Sequence, residues 1–102
     1  MNSASVAAIK EALNDIEHER CLIFGSQARG TASAGSDYDI IVVTRRALSH
    51  TDRFRISATM RKRLAKQHID ADSLVRSQGK IDDFSELRGS VVRNAMREAV
   101  TI

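Results

Sequence analysis

Two aspartates with one residue between them, Asp37 and Asp39, open the apolar run Ile40-Ile41-Val42-Val43. On a β-strand, residues i and i+2 project from the same face, so the two carboxylates converge. Like charges held that close repel one another, and a divalent cation between them is the simplest way to stabilise the pair. Oxygen-only donors suit Mg²⁺ or Mn²⁺ rather than Zn²⁺, since neither Cys21 nor any histidine stands at matching spacing. Standing alone, such a pair is most often a surface turn. Here it opens a strand apolar on both faces, where an uncompensated acidic pair is costly.

Upstream lies Phe24-Gly25-Ser26-Gln27-Ala28-Arg29-Gly30. Gly25 stops a short apolar run, and Ser26 can open a short helix whose free N–H groups suit a phosphate. The Ser26 hydroxyl adds a donor, and Arg29, one turn on, reaches the same anion. A Gly-Ser turn by itself is weak evidence, and its weight comes from the aspartates that follow.

The elements that must position these residues follow from periodicity. Val6, Ile9, Leu13 and Ile16 recur at helical spacing, predicting an amphipathic helix from Ser5 to about Glu19, capped by Ser3 or Ser5. Cys21 to Phe24 reads as a buried strand, and Asp37 to Thr44 as a second one in the sheet interior. Thr51 or Asp52 can cap a helix to about Gln67, with Ile56, Met60 and Leu64 one turn apart. Ile69 to Val75 is a third strand candidate and Ile81 to Arg88 a short helix or turn. After Gly89, Val92, Met96 and Val100 form one helical stripe and Val91, Ala95 and Ala99 the next. The pattern is α/β (α+β): a small mixed sheet of three or four strands with helices packed on it.

Composition sets the outer limits. The 102 residues fit one compact domain spanning 1–102, and 42% hydrophobic with 28% charged residues excludes a disordered or membrane-spanning class. The first five residues include the polar Asn2, Ser3 and Ser5 and the helix after them is charged, so no secretory segment is expected, and the single cysteine, read as a small buried residue, fits a cytoplasmic protein. From Ile41 to Lys66, eight basic residues face Asp52 alone. This stretch, with Arg53, Arg55, Arg61, Lys62 and Arg63, is read as a solvated helix face, some of it available to a partner. Three Phe, one Tyr and no Trp leave little for base stacking, which counts against nucleic acid as the main partner. His18, His50 and His68 are read as structural or solvent-facing, and Tyr38 as a packing residue turned away from the aspartates.

Gly25-Ser26, ten residues, then Asp37-x-Asp39, with Ala28-Arg29-Gly30 between and Ser36 before the first aspartate, resembles the DNA polymerase β-like nucleotidyltransferases, in particular their minimal stand-alone members. The resemblance runs from the first helix to the end, with Val91 to Ile102 similar to the family's terminal helix and short closing strand. It implies a third carboxylate from a neighbouring strand, with Asp70 and Asp72 as candidates. Asp72, followed by Ser73-Leu74-Val75, is the better match, and Asp70 reads as a strand-start or capping residue. It further implies two Mg²⁺ ions (or Mn²⁺) on Asp37, Asp39 and Asp72, and the triphosphate held by Gly25, Ser26, Arg29 and Ser36. The implied reaction is in-line attack of a hydroxyl on the α phosphorus of an NTP.

Minimal members of that family work with a separate helical partner of the HEPN type. The expectation is therefore an antitoxin-like enzyme that moves AMP from ATP to a hydroxyl of such a partner. An acceptor among small molecules, as in aminoglycoside-modifying relatives, needs a pocket that so short a chain builds only as a homo-oligomer. A binding module that keeps the fold without catalysis is the non-enzymatic alternative.

Overall fold

The computed structural model describes residues 3–30, 37–85 and 97–102. Helix α1 (Ser3–Ala12) leads to strand β1 (Arg20–Phe24), the short helix α2 (Ser26–Arg29) and strand β2 (Tyr38–Thr44). Helix α3 (His50–Ala65), strand β3 (Ala71–Ser77), helix α4 (Gln78–Ser85) and the two-residue strand β4 (Val100–Thr101) follow. The sheet order is β3-β2-β1-β4. β1 runs antiparallel to β2 and to β4, while β2 and β3 are parallel. A parallel pair needs a long crossover, and α3 supplies it. Among the described residues no helix is long and apolar enough to cross a membrane.

Side-chain alternation divides the sheet into two apolar faces. Ile23, Ile40, Val42 and Val75 meet Ile9 and Leu13 of the N-terminal segment and Met60 and Leu64 of α3 in the larger core. Leu22, Ile41 and Val43 meet Ile81 of α4 in the smaller one, with Phe24, Leu74 and Ala99 packed against it. β2 is buried along nearly its whole length, as its apolar sequence requires of a strand covered on both sides. Tyr38 and Cys21 both fall on the larger core and are buried. Burial pushes the Cys21 thiol up to about 12, which makes it an inert packing group.

Several boundaries differ from those expected, each for a local reason. α1 ends at Ala12 because the next amides close three-residue turns, Asn14 N–H to the Glu11 carbonyl at 3.1 Å and Ile16 N–H to the Leu13 carbonyl at 3.0 Å. Ile16 still packs on the core, so the apolar spacing outlasts the helix. α3 is capped not by Thr51 or Asp52 but by Ser49, whose Oγ accepts the Asp52 N–H at 3.1 Å. Val100 pairs with Ile23 in β4 instead of extending a helical stripe. Arg88, Gly89, Val91, Val92, Ala95 and Met96 lie outside the described residues.

β3 begins two residues later than expected because Ile69 belongs to the end of α3. The Ile69 N–H bonds the Leu64 carbonyl and the His68 N–H the Ala65 carbonyl, at 2.9 and 3.0 Å, while His68 takes a φ of 60°. This is a Schellman ending with histidine in the left-handed position usually given to glycine. It turns the chain sharply from the helix into β3. The strand then runs on to Ser77, whose Oγ accepts the Lys80 N–H at 3.2 Å and starts α4 three residues before the expected Ile81.

Candidate active site at the start of β2 and β3

The parallel register pairs Tyr38 with Ala71, Asp39 with Asp72 and Ile40 with Ser73. It is set at the first rung, where the Tyr38 N–H donates to the Asp70 carbonyl at 2.9 Å. Asp39 and Asp72 are thus neighbours on one face at the open end of the sheet, and Asp37 is exposed just before β2. Asp70 precedes β3 with its side chain exposed, and it contributes the backbone carbonyl.

Across β2 on the other side, Phe24 is the register partner of Asp39. The next residue, Gly25, has a φ of +73°, and a methyl group built on it would stand 2.6 Å from the Asp39 Oδ2. Glycine is therefore required twice, by the left-handed turn and by a carboxylate lying against its Cα. Sequence reasoning found the turn; the carboxylate contact needed the β1–β2 register. Ser26 is the first residue of α2 and Arg29 the last, with Gly30 closing it at a φ of +73°. Ser36 lies outside the described residues.

The electrostatics follow from this crowding. Partial burial raises the proton affinity of Asp39 above the usual carboxylate value, and the charges of Asp72 and Asp37 raise it further. Three carboxylates thus act on a common region. Among the described residues, Arg61 of α3 donates from Nη2 to Asp72 Oδ1 at 2.7 Å. Both side chains are largely exposed, 71% and 65%, so this pair holds Asp72 weakly. Arg63 on the same helix bonds Asp15 and the Ala12 carbonyl, and keeps the Asp15 carboxyl below its usual range. The arginines of α3 are therefore not simply a solvated face. Which of them meets an aspartate depends on tertiary register, which no charge count contains.

All three carboxylates are oxygen donors of the kind Mg²⁺ prefers, and their mutual repulsion fits a site for a divalent cation. Their present positions are not those of a closed metal cage: among the described residues no three acidic, histidine or cysteine side chains form a metal-holding group. Arg61 engages one Asp72 oxygen, Oδ1, and so competes with a cation for that carboxylate.

The sequence matches the model of the family "Polymerase beta, Nucleotidyltransferase" over residues 7–98. The chain belongs to that family. Among curated proteins, no sequence matches this nucleotidyltransferase. Among solved structures its fold is similar to a chain of a toxin–antitoxin crystal structure with AMP-PNP, with a TM-score of 0.60 and 18% identity over 99% of this chain and 72% of that one. A tri-AMPylated HEPN toxin in complex with MNT antitoxin, from Shewanella oneidensis, gives a TM-score of 0.60 at 18% identity, covering 99% and 71%. A candidate nucleotidyltransferase from Sulfolobus solfataricus gives 0.59 at 19%, covering 99% and 87%. At identities this low the likeness shows the fold alone. The pairing of Asp39 with Asp72 belongs to this chain's own register.

Proposed function

We propose that this nucleotidyltransferase moves AMP from ATP to a hydroxyl of a HEPN-type helical partner protein, and that it does so as an antitoxin. The observation that carries the reading is the register pair Asp39–Asp72, set beside Gly25 in a chain of this family. The choice of nucleotide and partner rests on the similar folds, solved with AMP-PNP and as an AMPylated toxin with its antitoxin.

In this reading Asp37, Asp39 and Asp72 would hold two Mg²⁺ ions, or Mn²⁺, which would supply charge neutralisation of the triphosphate and acidification of the acceptor hydroxyl. The Gly25-Ser26 turn, with Arg29 and Ser36, binds the β and γ phosphates and so orients the α phosphorus. The acceptor oxygen bonds to that phosphorus as the bond to the β-phosphate oxygen breaks and pyrophosphate leaves. Asp72, the most exposed of the strand aspartates, takes the hydroxyl proton on a carboxylate oxygen.

The Arg61–Asp72 pair favours a second reading, a partner-binding module that keeps the fold with its third carboxylate occupied. One experiment separates the two. The chain is incubated with labelled ATP, Mg²⁺ and a HEPN-type partner, and the partner is weighed by mass spectrometry. Added AMP with wild type but not with Asp39→Ala supports the transferase. Equal inhibition of the partner by both proteins, without any mass change, supports the module.

A further inference from the structure

The far end of β3 carries a second cluster of like charge, made of cations. Arg76 lies on the same face of β3 as Asp72 and four residues on, about 13 Å away at the usual strand rise. Arg53 of α3 and Lys80 of α4 close over the strand end. Together with Arg76, Ser77, Ala47 and Leu48 they line a cavity of about 320 Å³. None of these lining residues is acidic.

Two features distinguish this cavity from a chance gathering of surface arginines. Arg53 Nε is a buried donor with no hydrogen-bond partner in the protein, an arrangement that costs a folded protein free energy unless water, a ligand or an ion completes it. Arg76 is half-buried, with one Nη donating to the Val75 carbonyl at 2.8 Å. Burial and then the charge of Arg53 lower its proton affinity, which places the two guanidiniums within reach of each other's field. Two half-buried cations lining one cavity suit an anion between them, just as paired carboxylates suit a cation.

We infer that this cavity is an oxyanion site for a phosphate group, held by Arg53 and Arg76 and separate from the three aspartates. The charge balance selects the class. A carboxylate neutralises one guanidinium, whereas a phosphate dianion neutralises both and offers enough oxygens for the Arg53 Nε–H and the remaining Arg76 donors. Free phosphate and the phosphate of a nucleotide share this chemistry.

The test uses the whole chain with EDTA present, so that no metal occupies the aspartates. Inorganic phosphate is titrated at constant ionic strength and followed by calorimetry and by the ¹⁵N signals of the arginine Nε–H groups. Saturable binding is expected, with the Arg53 Nε–H signal moving along the same isotherm. Arg53→Gln and Arg76→Gln should each weaken it at least about tenfold, because each removes one arm of the fork. Arg45→Gln, which alters only an exposed pair with Glu19, should leave binding unchanged. If Arg76→Gln folds poorly, Arg53→Gln and the Nε–H signal still decide the matter. AMP binding tighter than phosphate, or weaker but at the same Arg53 signal, identifies the source, and either result supports the site. Equal phosphate binding by wild type and Arg53→Gln overturns the inference, as does an identical response to acetate or a lack of saturation below roughly 10 mM.

Discussion

The two ends of the β2–β3 pair carry opposite charge on one piece of parallel sheet, and they differ in how that charge is housed. At the start, Asp37 and Asp72 are exposed and Asp39 half-buried, and water screens much of their repulsion. At the end, Arg53 and Arg76 are both half-buried, and one Arg53 donor is sealed from solvent without a partner. Between them run Ile40 to Val43 and Leu74 to Val75, which leave no room for charge on either face. A strand covered on both sides can present polar chemistry only at its ends, so the apolar centre of the sheet is what separates the acidic site from the basic one.

The comparison is broken most directly at the acidic end. Asp72→Asn should lower transfer about a hundredfold or more at saturating ATP while nucleotide binding persists through Asp37, Asp39 and the Gly25 turn. Asp70→Asn should change turnover less than about twofold, because the residue's structural bond comes from its carbonyl, which the substitution keeps. Steady-state transfer and ATP calorimetry on both variants check the pair. Activity lost in Asp70→Asn and kept in Asp72→Asn would mean that the Asp39–Asp72 register pair is not the catalytic one.

Gly25→Ala comes next in size. The new methyl must move the Asp39 carboxylate and occupy a left-handed turn, at a cost of roughly 1–2 kcal/mol of stability. Urea unfolding should show that loss together with impaired metal binding. A stable variant with normal Mn²⁺ affinity would show that Asp39 does not need its seat against the Gly25 Cα.

Much of this was legible in the sequence, and the remainder was hidden for identifiable reasons. The Asp37-x-Asp39 spacing, the apolar run after it and the glycine stop before it gave the sheet's interior strand and one half of the site. For the third carboxylate the family resemblance favours Asp72 over Asp70, but alternation puts both on one face, and only inter-strand register decides which stands opposite Asp39. The strand was expected two residues early because Ile69 looks like a strand residue, while its backbone closes a helix through a left-handed histidine that no glycine advertises. In the sequence Arg53 and Arg61 stand together in one charged helical stretch. Their separate fates, one half-buried at the basic end and one on Asp72, depend on contacts more than ten residues away in sequence.

Arg61→Ala sharpens the comparison within the acidic end itself. The Arg61–Asp72 pair is exposed and so contributes at most about 1 kcal/mol, and its removal should tighten Mn²⁺ binding by no more than about fivefold. Calorimetric titration of the metal reads this directly. Weaker binding in Arg61→Ala would mean that the arginine supports the metal site instead of competing for it.

The smallest effect sets the two ends against each other by pH. Asp39 has its proton affinity raised in the folded chain, by partial burial first and then by Asp72 and Asp37. A carboxyl raised in this way favours the folded state fully below its ordinary value of 3.8, and that contribution is lost as pH rises through the native value. At neutral pH the charged Asp39 therefore opposes folding, and Asp39→Asn should melt above wild type in EDTA. The gain should be on the order of a degree or two, given solvent screening, and should vanish as pH falls below the ordinary carboxylate value. Taking the difference between variant and wild type cancels the titration of carboxylates that the substitution leaves unaltered. At the basic end, Arg76→Gln should shift the melting temperature by an amount that is flat over the same range, since arginine keeps its proton throughout. Scanning calorimetry of the three proteins from acid to neutral pH measures both differences. An Asp39→Asn gain that grows on acidification would reverse the sign assigned to the acidic end and remove its repulsion as the motive for binding a cation.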